Sequence, residues 1–243
     1  MNTSDLGKQV ISKTAEVGIK NQLDKVEALD VEVHTEPLDL VQGKIDAVSI
    51  KGKGLVMKQQ LRAEKIRIET SSIDIDPLKA AVGEIELNEA TAARTLIVLK
   101  EEDIQKAFNC NYVREKLQKI KIEYQGQKAA TDIKDVRFSI PEVDKIHIVA
   151  DVALVGTDCQ ESIAFTALPR VNREGNNIEI EDISYEGENS QEEFTAALIE
   201  SVRDLLDLRN LDLKGISLNI RKLKVEPGKI KIEADTTIED FPS

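Results

Sequence analysis

An α+β fold, a large twisted antiparallel sheet with a few amphipathic helices, is what this 243-residue chain predicts. The first observation is a repeated period of two. Segments such as Lys65-Ile66-Arg67-Ile68-Glu69 and Lys229-Ile230-Lys231-Ile232-Glu233 alternate apolar with charged, as strands with one wet and one buried face do. The second is composition: 27 Ile, 22 Leu and 19 Val stand against eight aromatics and no Trp. β-Branched side chains fit a pleated, half-buried surface. The third is that only three stretches carry helical spacing, so a parallel sheet with alternating helices is not the reading.

The elements follow in order. Ile11, Ala15, Ile19, Leu23 and Val26 step by four or three residues and predict a first helix, with Ser4 as its cap. Leu29-Asp30-Val31-Glu32-Val33-His34 then alternates as a strand, followed by Lys65 to Glu69 and Gly83 to Leu87. A second helix is expected from about Glu101 to Ile120, with Ile104, Phe108, Val113 and Leu117 apolar and Cys110 near its middle. Its first turn, Glu101-Glu102-Asp103, places acids where the helix dipole favours them. Lys145 to Ile148 and Asn177 to Glu181 alternate again. Glu186-Gly187-Glu188-Asn189 reads as a turn before a third helix. Ser190-Gln191-Glu192-Glu193 matches a capping box there, and Phe194, Leu198, Val202 and Leu205 continue it.

Residues 1–243 read as a single domain with no low-complexity linker. Lys65 through Ile73-Asp74 to Pro77 parallels Lys229 through Ile238-Glu239 to Pro242. This spacing admits an internal duplication, with helix-plus-strand units near 4–100 and 190–243.

The formal charge of −12 excludes a nucleic-acid binder that relies on overall attraction. Apolar runs are too short for a transmembrane helix, and Met1 to Lys8 shows no basic and apolar leader. Cys110 and Cys159 are too few for a disulfide framework. Together these predict a cytoplasmic protein, peripheral on the membrane if it meets one.

No catalytic set emerges. His34 and His147 sit alone in alternating strands, without the spaced partner a metal site requires. No serine occupies a nucleophile elbow, and Cys110 reads as a packed small residue. Asp74-Ile75-Asp76 pairs two carboxylates, yet two ligands without a further cluster do not make a metal site. The expectation is no catalytic residue, no metal and no cofactor.

The charge distribution says more. Lys51, Lys53, Lys58, Arg62, Lys65 and Arg67 form one basic island, and Lys214, Arg221, Lys222, Lys224, Lys229 and Lys231 a second. Each cation near an anionic membrane adds on the order of 1 kcal/mol of attraction. The first island holds Gly52-Lys53-Gly54, read as a turn, beside Leu55, Val56 and Met57. Lys51, Lys53, Leu55, Val56, Met57 and Lys58 are therefore the membrane-contact candidates, a hairpin tip inserting shallowly into lipid.

Val48-Ser49-Ile50 with Gly52, Gly54, Leu55 and Val56, then Ile73-x-Ile75-x-Pro77, resembles the LmeA-like phospholipid-binding family of bacteria. So does Leu99-Lys100-Glu101-Glu102-Asp103-Ile104 leading to Ala107-Phe108-Asn109. The resemblance covers most of the chain, and its motifs are structural. It implies a fold related to the tubular lipid-binding proteins, an apolar cavity for acyl chains, and anionic phospholipid as the partner. The aliphatic stripes that would line such a cavity are Ile11, Ala15, Ile19 and Leu23 of the first helix, Ile66 and Ile68 of a strand, and Phe194, Leu198 and Val202 of the third helix. The same composition also builds a solid core. The alternative function is thus a protein-interaction scaffold without a lipid ligand, and an enzyme of lipid or glycan metabolism stands last.

Overall fold

The structure is a computed structural model that describes residues 3–58, 60–81, 86–118, 120–124, 126–187, 189–202, 207 and 215–239. It is α+β and mostly antiparallel. The chain divides into two compact units, one of Met1–Val98, Asp212–Lys222 and Ile232–Ser243, the other of Leu99–Leu211 and Leu223–Lys231.

The first unit opens with α1 (Thr3–Asn21), then β1 (Ala28–His34), α2 (Pro37–Val41), β2 (Lys44–Ile45), β3 (Ala47–Met57) and β4 (Leu61–Thr70). β5 (Ile73–Asp74), α3 (Pro77–Ala81) and β6 (Thr91–Lys100) follow. The chain returns late with β12 (Ile216–Glu226) up to Lys222 and with β13 (Lys229–Ile238) from Ile232, the hairpin between belonging to the second unit. Six strands form one sheet in the order β1-β3-β4-β6-β13-β12, and β2 pairs with β5 apart from it. α1 lies against β1. Its Ala15 joins Val31, Val33, Val48 and Ile50 in a core that also takes Ile45, Ile73 and Ile75.

The second unit holds α4 (Glu101–Phe108), α5 (Asn111–Leu117), β7 (Lys121–Tyr124), β8 (Gln127–Glu142), β9 (Lys145–Leu154), β10 (Gln160–Val171), β11 (Ile178–Glu186) and α6 (Asn189–Val202). Its sheet runs β11-β10-β9-β8-β7. Three irregularities interrupt the ladders, between Lys134 and Arg137 and between Ser139 and Glu142 in β8, and between Thr166 and Leu168 in β10. Asp135 and Asp182 take positive φ, 49° and 46°, which short polar side chains tolerate best. The core centres on Phe138, Val152, Ile163, Phe165 and a wholly buried Phe194.

Three expectations need correction. The first helix ends at Asn21, short of Leu23 and Val26, because the backbone beyond it is captured by β3: Asp24 N–H donates to the Val56 carbonyl at 2.8 Å, and Val56 N–H to that of Lys25 at 2.8 Å. The second helix breaks into α4 and α5. Cys110 is therefore not mid-helix but the extended residue (φ −78°, ψ 154°) that starts α5. Gly52-Lys53-Gly54 is not a turn. These residues run inside β3, with Gly52 opposite Leu29 and Ile66. The hairpin turns later, at Lys58, whose φ is 49°.

The helical reading of Ser190 to Val202 is met by α6, while Leu205 and residues 83–85 lie outside the described residues. Both copies of the repeated Ile-rich segment fall in the same six-stranded sheet, as β4 and β13 on either side of β6.

Candidate lipid-contact face

Strand alternation divides the first unit's sheet into an aliphatic face and a charged face. Ile68 pairs with Ile50 and Thr95, and Ile66 with Gly52 and Ile97, so these side chains share one side. Thr95 and Thr236 extend it onto β13 through hydroxyls 2.8 Å apart. Ala234 and Ile238 continue the buried alternation there. Toward β1 this face is filled by α1. Toward β6, β13 and β12, Ile66, Ile97, Ile232 and Leu218 remain half-buried, and none belongs to the unit's core among the described residues. Small side chains at Gly52, Ala93, Thr95, Ala234 and Thr236 separate them. One threonine hydroxyl donates to the other, so this polar pair is partly satisfied within the face.

The opposite face carries the charges. Lys51 pairs with Glu32 at 2.8 Å and Arg67 with Glu69 at 2.6 Å, while Arg62, which by alternation shares the Ile66 side of β4, pairs with Glu27 at 2.7 Å. Lys53 lies 3.7 Å from Glu27, and Arg221 3.5 Å from Asp235. The Lys51 ammonium holds the Glu32 carboxyl below the usual carboxylate range, and the Arg62 guanidinium does the same for Glu27. In the second island, Lys229 and Lys231 both reach Glu226. Lys214 lies outside the described residues. The basic islands are therefore largely ion-paired across strands, and their sequence charge overstates what a membrane would meet.

The nominated lining residues separate by unit. Ile11, Ala15 and Ile19 pack with α1 on the first core, Ile68 joins them at its margin, and Ile66 sits on the half-buried face. Leu23 is half-buried beyond the helix end. Phe194 and Leu198 belong to the second unit's core, at 0% and 5% exposure. The Val202 side chain is outside what is described. Of the nominated membrane contacts, Leu55 is buried and Val56 is bonded to Lys25, while Met57 and Lys58 stand exposed at the hairpin end.

The residues considered for chemistry have structural work. Asp76 Oδ1 accepts from Leu78 and Lys79 N–H at 2.8 and 3.2 Å, opening α3. Asp74 accepts from Asn88 at 2.7 Å. His34 is exposed on edge strand β1, and His147 Nε2 lies 3.3 Å from Glu186 Oε1 on the second sheet. Burial pushes the Cys159 thiol up, so it stays protonated and unreactive at neutral pH.

One set of contacts is not foreseen by the sequence patterns above. Glu101, Gln105 and Asn109, four residues apart on α4, bond the free backbone of β8. Asn109 and Gln105 each donate to the Val136 carbonyl at 2.7 Å, Gln105 Oε1 accepts from Phe138 N–H, and Glu101 Oε2 accepts from Ile140 N–H at 2.8 Å. A helix thus takes the place of a neighbouring strand and protects that edge. The i, i+4, i+8 spacing was the available signal.

The protein is mostly antiparallel α+β, and one side of its six-stranded sheet is built largely of aliphatic and small side chains, several of them half-buried. The model of the LmeA-like phospholipid-binding family matches residues 3–235, and the chain belongs to that family. No curated protein and no solved structure matches it. No helix among the described residues is long and apolar enough to cross a membrane.

Proposed function

We propose that this protein is a non-enzymatic phospholipid binder or carrier. It would hold acyl chains against the aliphatic face of the six-stranded sheet, wrapped in the manner of the tubular lipid-binding proteins, and act at a membrane surface. One observation carries the reading. Among the described residues, the aliphatic side of the six-stranded sheet keeps Ile66, Ile97, Leu218 and Ile232 half-buried beside buried small residues. Aliphatic side chains among small ones offer a deformable surface for disordered chains, and a flat aromatic ligand would find few rings to stack on. A preference for anionic headgroups belongs to the proposal and rests on Lys65 and Lys222, which have no ion pair among the described residues. The unbridged cysteines support a reducing compartment, hence the cytoplasmic face. Native mass spectrometry with organic extraction of the purified protein tests the function: co-purifying phospholipid is expected. An empty protein that does not take up phospholipid from vesicles would favour the interaction scaffold.

A further inference from the structure

Two short helices of the first unit open on one pattern, Glu36-Pro37-Leu38 at α2 and Asp76-Pro77-Leu78 at α3. Proline suits a first helical turn, where its missing N–H would have no partner anyway. The leucine that follows is 78% exposed in α2 and 80% exposed in α3, and Val41, one turn after Leu38, is 78% exposed. Isolated exposed leucines are ordinary. These are brought together.

The β2–β5 pairing matches Lys44 with Asp74 and Ile45 with Ile73. Ile75 N–H donates to the Gly43 carbonyl at 2.8 Å. A Cβ on Gly43 would stand 2.1 Å from the Ile75 oxygen and 3.2 Å from Pro77 Cδ, so only glycine lets the end of α2 meet the start of α3 this closely. At 1.5 Å of rise per residue, all three side chains lie within about two turns of that contact. The base beneath is firm: Ile45, Ile73 and Ile75 are core residues.

We propose that this α2–α3 end of the first unit is a bilayer-insertion tip, with Leu38, Val41 and Leu78 entering the acyl region. The inference rests on the phospholipid-binding reading and names where the membrane is met. Area argues for lipid over a protein partner. Three aliphatic side chains offer roughly 100 Å² each, far short of the roughly 800 Å² per partner that a stable protein interface needs. Insertion into a bilayer has no such threshold, because each buried side chain contributes by itself. Local charge then sets the mode. Glu36, Asp39, Asp74 and Asp76 surround the tip against Lys44 and Lys79, and Lys79 is paired with Glu86. Anchoring here is apolar and does not depend on anionic headgroups.

The chain has no tryptophan, so Leu38→Trp and Leu78→Trp each report one position. On mixing with zwitterionic phosphatidylcholine vesicles brominated in the acyl chains, both are expected to shift to the blue and be quenched, at low and at raised salt. Met57→Trp, at the β3–β4 hairpin, is expected to stay unquenched. The double change Leu38→Ser with Leu78→Ser should lower vesicle partitioning about tenfold or more while thermal stability and co-purified phospholipid stay as they were. Unquenched tryptophans, release of the wild type by salt, or a wild-type oligomer that the serine pair dissociates would each overturn the tip. A protein that carries phospholipid yet leaves both tryptophans unquenched overturns the tip alone. One that neither carries phospholipid nor partitions overturns the lipid reading with it.

Discussion

The two units use similar aliphatic material to different ends. Among the described residues, the second unit gathers seventeen buried apolar residues on a five-stranded sheet, with α6 laid into it. The first has a cluster of eight where α1 meets the β1 side, with Leu55, Ala63, Ala93, Ile220, Ala234 and Ile238 buried outside that cluster. Aromatics sharpen the difference. Phe108 and Phe138 pack 5.8 Å apart in the second unit beside Phe165 and Phe194, while the first unit's core has no ring. Large rings fill volume with few degrees of freedom, so a core built on them is closed. The first unit's sheet instead carries valines, isoleucines, alanines and threonines, with Ile66, Ile97, Leu218 and Ile232 half-buried among buried small residues.

The largest effect should appear where packing is complete. Phe194→Ala is expected to cost about 3–5 kcal/mol in urea-induced unfolding. A loss below about 1 kcal/mol would mean that the second unit is no more solid than the first, and the contrast would collapse. Ile19→Asp places a charge on the packed side of α1, and about 1–3 kcal/mol is expected by the same measurement. Unchanged stability would show α1 to be only loosely applied to the sheet.

Ile66→Ala combined with Ile97→Ala removes half-buried bulk from the open face. About 1 kcal/mol per site is expected, together with a clear fall in co-purified phospholipid. A loss like that of Phe194→Ala with no change in lipid would make this face core and not site.

Acid should give the smallest effect. Glu16, Glu27 and Glu32 in the first unit have carboxyls held low by Lys20, Arg62 and Lys51, and Glu226 in the second is held low by Lys231. A carboxyl whose folded pKa is depressed adds stability above its ordinary value of 4.5, and that stability is lost as pH falls through the lower folded value. Stability should be level with respect to these groups from neutral pH down to about 5. Below 4.5, hydrogen exchange should rise first in the first unit, where three of the four groups sit. Simultaneous loosening of both units would show that these pairs do not bias either one.

Local periodicity was enough for several strands and for α1 and α6, because a two-residue or 3.6-residue repeat already states which side each residue presents. Lys65 to Glu69, Lys145 to Ile148 and Lys229 to Glu233 lie inside β4, β9 and β13 for that reason. Tertiary structure decided what depends on distant partners. The break at Asn109 and Cys110 follows from Asn109 bonding β8, 27 positions away. Gly54 reads as a turn residue, but its positive φ of 58° falls within a strand whose partner β4 resumes register on both sides. The two basic islands look unopposed in one dimension, yet β1 and β3 run antiparallel and set Glu32 beside Lys51, 19 positions on. The alternation of β12 also changes phase, from buried Ile220 through exposed Arg221 and Lys222 to buried Val225, where the strand passes from one unit to the other. A periodic sequence says that a residue is buried; which of two cores buries it, and whether that core is full, depends on contacts between residues far apart in the chain.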